Sequence, residues 1–341
     1  MPGRASYTPA RAEDPIMSTK FPRPETMTIG FAHAAYRLGE AFAARNTGAR
    51  HWEVRTLDEL KARAGEADVL VVSGLWRNEL LETAPKLRFV QSISAGVDQY
   101  DKAAFAQRGV RLASAQGANA QAVAEHAMAL MLAVSRRLGE AARHQATRHW
   151  RPMISDRAVR EFELAGRTLL VVGLGGIGGR LAHMAKAFGM RVVGLRRDPA
   201  AGMGAADAVH SMAELHRLLS EADMVALTCP LTPETTNLID AAAFGRMKKT
   251  ATLINVARGK VVDEPALIAA LEAGTIAAAG LDCTVVEPLP ADSKLWAMPQ
   301  VVITPHTGGE TARYEDNIVD LLLDNLGRLG RGETALKNQI V

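Results

Sequence analysis

Two groups of residues in this chain have types and spacing suited to chemistry. The first is GLGGIG, which sets Gly173, Gly175 and Gly178 in G-x-G-x-x-G register directly after the apolar run TLLVV (168–172). There the first glycine allows a tight turn, the second lets backbone approach a pyrophosphate, and the third lets helix pack on strand. The helix N-terminus then faces the phosphates. The loop residues Gly176 and Ile177 belong to the same expected site, and a helix is predicted over 178–188, with Ile177, Leu181, Met184 and Phe188 as its buried stripe and Gly189 as its stop. The second group is Arg258 after LINVA, Glu287 in the loop after GLDC, and His306 at the end of VVITPH. All three stand at or just past strand ends, where ligands gather in open parallel sheets. Reduction of a 2-oxo acid by hydride needs a cation on the carboxylate and carbonyl, and an acid for the nascent alkoxide. Arginine and histidine supply these, and a carboxylate partner such as Glu287 stabilises the imidazolium. Each residue taken alone also fits a solvated or structural role; their shared placement favours chemistry.

The strand after the glycine loop reports on the dinucleotide, because an acidic residue at its end bonds a ribose 2′-hydroxyl whereas arginine accepts a 2′-phosphate. Here RVVGL (191–195) runs into Arg196 and Arg197, and Asp198 comes two residues late in an Asp-Pro turn opening. NADP is therefore favoured over NAD, with two solvated arginines as the plain alternative.

The elements that must hold these residues follow from hydrophobic periodicity. Short apolar runs at 27–31, 69–73, 89–94 and 110–115 alternate with helical patterns, and a second series begins at 168–172 and continues at 191–195, 224–229, 251–257, 277–283 and 301–306. That is βα alternation in an α/β protein with parallel sheets, whose doubly covered strands read as near-continuous apolar runs. A long helix is predicted from about Ala120 to His144, with Val123, Ala127, Leu130 and Val134 along one face. A polar arm follows at 145–165. Residues 1–26 carry five prolines and read as a flexible extension outside the fold.

Several motifs in order, SAGVD (94–98), VAEHA (123–127), GLGGIG, TCPLTPETTNLI (228–239), NVARGKVVDEPAL (255–267), GLDCTVVEPLP (280–290) and ITPHTGG (303–309), resemble the D-isomer-specific 2-hydroxyacid dehydrogenases over about residues 68–310. That family includes glyoxylate/hydroxypyruvate reductases and phosphoglycerate dehydrogenases. The resemblance implies that Arg258 binds substrate, that His306 is the acid/base paired with Glu287, and that Asp282 meets the nicotinamide carboxamide. It implies that backbone at Ala95, Gly96 and Val97 receives the substrate carboxylate, and it places Thr228, Cys229, Pro230, Val256 and Ala257 with the cofactor. It further implies two Rossmann-like parallel-sheet domains: a flavodoxin-like substrate domain (27–119 plus 310–341, closed by a helix near 312–328) and an inserted NAD(P)-binding domain (120–309). A homodimer formed through the long helix and the arm bearing Trp150 is implied as well. Gly74, Leu75, Trp76 and Arg77 are expected to line the substrate pocket. Thr307 and Gly308 depart from the family's frequent isoleucine and alanine, and Cys283-Thr284 from its commoner Val-Phe. Glu287 stands where formate dehydrogenases of the superfamily carry glutamine, which argues against that activity.

Composition bounds the alternatives. At 341 residues, 48% hydrophobic and 23% charged, the chain is an ordinary globular sequence long enough for two domains. A net charge of +3, with basic residues scattered, offers no stripe for nucleic acid. Neither a membrane span nor a secretory leader is legible. Cys229 and Cys283 lie in apolar, strand-like segments without metal-ligand spacing, so no metal is expected and a reducing cytoplasm fits. Two other functions share the pattern: a dinucleotide-sensing interaction protein of the same architecture, and a D-3-phosphoglycerate dehydrogenase-like enzyme.

Overall fold

Near-continuous apolar runs become strands covered on both faces. The structure, a computed structural model, describes residues 21–341; residues 1–20 of the expected extension lie outside the described residues. Residues 21–26 belong to the folded body, since Pro24–Thr26 makes a 3-10 turn and Phe21 packs against a core cluster. The described residues form two all-parallel sheets. The first contains β1 (Thr28–Ala32), β2 (Arg50–Val54), β3 (Val69–Val72), β4 (Phe89–Gln91) and β5 (Arg111–Ala113), in spatial order β2-β1-β3-β4-β5. The second contains β6 (Thr168–Val172), β7 (Arg191–Leu195), β8 (Ala208–His210), β9 (Met224–Leu227), β10 (Thr252–Asn255), β11 (Ala278–Leu281) and β12 (Val301–Ile303). Its order is β12-β11-β10-β9-β6-β7-β8. The first order is flavodoxin-like; the second is the dinucleotide-binding order, with its reversal between β6 and β9.

Alternation within each strand divides the core. Leu170, Val172, Val225 and Leu227 join one cluster of the larger sheet, while Leu169, Val171, Met224 and Ala226 join the cluster on its other face. The smaller sheet is divided in the same way. The helix Tyr314–Gly330 sends Tyr314, Ile318, Val319 and Leu322 into a cluster of the first sheet, beside Ile29, Phe31, Val69 and Phe89. Beyond it, the chain returns to the edge of β5, where Leu112 N–H donates to Val341 O at 3.2 Å and Ser114 N–H to Asn338 O at 2.9 Å.

Three further expectations need correction, and two edge strands leave no clear sequence signal. The long helix of 120–144 is two helices, Ala120–Ser135 and Leu138–Ala146. Arg137 between them has φ +53° and donates its N–H to Val134 O, so a left-handed residue closes the first helix. The helix after the glycine loop spans Gly176–Ala187, and it buries Leu181, Ala182 and Ala185 while Phe188 lies exposed. Phe188 stands past the last helical residue as the C-cap, with non-helical backbone angles, so the stripe ends before it. The edge strands β2 and β8 were not legible, since RHWEV mixes polar residues and AVH is short and half-buried. Trp76 does not line a pocket; it is buried among Tyr100 and Phe105 in the first sheet's core.

Candidate active site

The glycine loop leaves β6 at the point where the larger sheet's strand order reverses. Gly173 adopts φ +101°, and a β-carbon there would stand 2.6 Å from Cys229 Cα. A β-carbon on Gly178 would stand 2.4 Å from Gly173 O and 2.8 Å from Thr228 Oγ1, so helix, loop and the end of β9 close on one another only through glycine. Thr228 Oγ1 donates to Gly173 O at 2.8 Å and ties the two strand ends. Above Gly175 the space is open: a β-carbon there meets nothing within 4 Å. Gly175 caps the helix with no side-chain bond and gives its own N–H to Gly173 O at 2.8 Å, which leaves the N–H groups of Gly176 and Ile177 for an anion. The cradle thus fits a dinucleotide pyrophosphate. Cys229, Val256 and Ala257 turn their side chains into the core, leaving backbone for any ligand, and Pro230 O accepts from Thr235 Oγ1 at 2.7 Å.

At the end of β7, Arg196 donates to Gly202 O at 3.0 Å and Arg197 is exposed. Asp198 accepts from Ala200 N–H at 3.0 Å as the cap of the turn Pro199–Ala201, so its carboxylate has a local structural use.

The strand-end trio converges in part. His306 Nδ1 lies 2.8 Å from Glu287 Oε2, while Glu287 Oε1 accepts from Thr284 N–H at 3.0 Å. Burial pushes the Glu287 carboxyl up, but the hydrogen bond and charge of His306, the Thr284 N–H and the Arg258 charge together hold it below the usual carboxylate range. His306 has φ +58°, a left-handed conformation that few residues other than glycine adopt.

Arg258 joins the two sheets. Its Nη1 donates to Ala257 O at 2.7 Å, and its Nε lies 3.5 Å from Asp98 Oδ2, in the loop that follows β4. The guanidinium rests on Gly96, where a β-carbon would fall 1.9 Å from Nη2. Ala95 is exposed, and Gly96 and Val97 are half-buried. Arg77 bends back onto Gly74 O and Trp76 O, at 3.1 and 2.7 Å. Asp282, at the end of β11, is buried and accepts from Thr304 Oγ1, Thr307 N–H and Gly308 N–H.

With this geometry in place, the similarity to known proteins is decisive. Residues 128–308 match the model of the D-isomer specific 2-hydroxyacid dehydrogenase NAD-binding domain. A Glyoxylate/hydroxypyruvate reductase B of Yersinia pestis is 38% identical over 297 residues, which cover 82% of this chain and 88% of that protein. The chain belongs to the D-isomer specific 2-hydroxyacid dehydrogenase family. A glyoxylate reductase of Korarchaeum cryptofilum is 37% identical over 75% of this chain and 76% of its own length. Among solved structures, a Thermus thermophilus protein is 34% identical with a TM-score of 0.81, covering 92% of this chain and all of that one.

Within this family frame, sequence reasoning missed His126 as a site neighbour. Its Nε2 lies 2.8 Å from Thr304 Oγ1 and 3.2 Å from Asp282 Oδ1. Nothing in the helix periodicity marks it, because the contact crosses from one helix to a strand end 178 residues away. Cys283, the residue after Asp282, has its thiol pushed up by burial, and the charges of Glu287 and Asp282 add to the shift. No cluster of metal-ligating side chains occurs among the described residues.

Proposed function

We propose that the chain reduces a small 2-oxo acid to the D-2-hydroxy acid with NADPH or NADH, as a glyoxylate/hydroxypyruvate reductase-like enzyme. The observation that carries this is the 2.8 Å His306–Glu287 pair, within electrostatic reach of Arg258, beyond the strand ends of a dinucleotide-binding sheet. A bound nicotinamide would supply the hydride that reaches C2 of the oxo acid. Arg258 holds the substrate carboxylate with the backbone at Ala95, Gly96 and Val97, and its charge polarises the carbonyl. His306 donates a proton from Nε2 to the oxygen that becomes the hydroxyl, and Glu287 on Nδ1 fixes the ring and stabilises the imidazolium. Asp282 presents its carboxylate to the carboxamide side of the nicotinamide. In the oxidative direction His306 takes the proton back.

Arg196 and Arg197 favour NADPH, supported by the structural use of Asp198 as a turn cap. Dividing the chain into 27–119 plus 310–341 and 120–309 puts the site at the mouth between the two sheets, where closure would exclude water. Trp150 and Met153 on the arm are 96% and 97% exposed, with Leu138 and Val159 also exposed, and this favours a homodimer through the arm. The two free, buried thiols suit a reducing cytoplasm.

The test is a steady-state panel of glyoxylate, hydroxypyruvate, pyruvate and longer 2-oxo acids with NADPH and NADH, on wild type and His306→Gln. Wild type should turn over at least one 2-oxo acid, with the lower Michaelis constant for NADPH. His306→Gln should bind cofactor normally and lose most turnover. Near wild-type rates for His306→Gln would refute the acid/base assignment, and a clear preference for NADH would refute the cofactor assignment. Tight NADPH binding with no turnover across the panel would favour a sensor.

A further inference from the structure

The loop carrying His306 is pinned on both sides by one buried carboxylate. Asp282 is 3% exposed; its Oδ1 accepts from Thr304 Oγ1 at 2.7 Å and Thr307 N–H at 3.0 Å, and its Oδ2 accepts from Gly308 N–H at 3.0 Å. These partners stand two residues before His306 and one and two after it. A turn tied at three points around one residue can hold that residue at φ +58°. The turn is therefore no stiffer than the carboxylate that ties it.

Asp282 is in turn held from the helix Ala120–Ser135. The Thr304 hydroxyl has a single proton, which it donates to Asp282, so its remaining role toward His126 is to accept. His126 Nε2, at 2.8 Å, must then carry N–H, and the same N–H faces Asp282 Oδ1 at 3.2 Å. The imidazole also covers the turn: a β-carbon on Gly308 would stand 2.7 Å from Asp282 Oδ2 and 3.2 Å from His126 Cδ2. Glycine at 308, a departure from the family's frequent alanine, is thus what lets ring and carboxylate lie against the turn. His126 is half-buried, touches no group proposed to bind substrate, and its partner Thr304 belongs to the turn.

We propose that His126 is a positioning residue for His306: its Nε2–H fixes the Thr304–Asp282 pair and, through it, the left-handed turn that aims the His306 ring at Glu287 and the substrate. This rests on the reading of His306 as the acid/base. A loosened turn would leave dinucleotide binding at the Gly173–Gly178 cradle unchanged and would misplace the proton donor. Misplacing a reacting group by about 1 Å can cost on the order of 100-fold in rate.

The experiment compares His126→Leu, which removes the N–H, with His126→Gln, whose amide can place an N–H near the same point. In the full-length protein, His126→Leu should lower kcat roughly 10- to 100-fold and change the cofactor Michaelis constant far less, since the Thr307 and Gly308 N–H groups still hold Asp282. His126→Gln should recover most of that loss at an equal thermal unfolding temperature. The proposal is overturned if His126→Leu keeps kcat within about twofold, if Leu and Gln variants are equally impaired, or if kcat falls only in step with cofactor binding and unfolding temperature. His306→Gln runs alongside. If it stays active, the acid/base reading has failed; if it is inactive while His126→Leu turns over normally, only the positioning role has failed.

Discussion

Glu287→Gln removes one negative charge while nearly keeping shape, and the geometry around the carboxylate sets the consequence. Both of its oxygens are in use, Oε2 toward His306 Nδ1 at 2.8 Å and Oε1 accepting from Thr284 N–H at 3.0 Å. A glutamine has one oxygen. Turned toward His306, it sets its NH2 against the Thr284 N–H; turned the other way, it sets the NH2 against the imidazole. A hydrogen bond to a charged group contributes about 1.5–3 kcal/mol. The His306 and Glu287 side chains are 43% and 39% exposed, so solvent screening leaves about 1–2 kcal/mol. Since about 1.4 kcal/mol is tenfold in rate, kcat/KM for 2-oxo acid reduction should fall roughly 5- to 30-fold near neutral pH. The proton that His306 donates loses its stabilising counter-charge, so the deficit should lie in reduction of the 2-oxo acid and not in cofactor binding. The assay is initial-rate NADPH oxidation near neutral pH, with cofactor affinity measured separately by fluorescence titration and expected to be unchanged. Wild-type kcat/KM for the Glu287→Gln variant would refute the electrostatic role of the pair.

Two further outcomes follow from the same geometry. Gly178→Ala would drive a β-carbon to 2.4 Å from Gly173 O, a backbone atom that cannot rotate away, so dinucleotide affinity should fall at least about tenfold with the fold retained; titration of cofactor fluorescence giving a wild-type dissociation constant would contradict it. Burial pushes the Asp282 carboxyl up, but His126, Thr304 and the Gly308 N–H outweigh burial and set it below its ordinary value of 3.8. A depressed carboxyl stabilises the fold above its unfolded value and loses that contribution as pH falls through the lower folded one. Urea unfolding should therefore show wild type more stable than Asp282→Asn by about 1–3 kcal/mol near neutrality. The gap should shrink below about pH 4, and a gap that persisted undiminished at about pH 2 would contradict the assignment.

Much of this protein is decided by local sequence. The strands TLLVV and RVVGL coincide with β6 and β7 because buried parallel strands leave an uninterrupted apolar record, and the glycine loop is legible because its chemistry is carried by consecutive residues. Arg258, Glu287 and His306 could be singled out because strand ends are where a parallel sheet presents its ligands. What tertiary structure alone decided is pairing and direction. A helix broken at Arg137 depends on one residue's left-handed φ, which no hydrophobic period encodes. Trp76 could have faced a pocket or the core, and packing against Tyr100 and Phe105 chose the core. Arg258 resting on Gly96, and His126 reaching Thr304 and Asp282, join residues more than 150 positions apart. The sequence names such groups, but only the folded backbone brings them within the roughly 3 Å over which hydrogen bonds act.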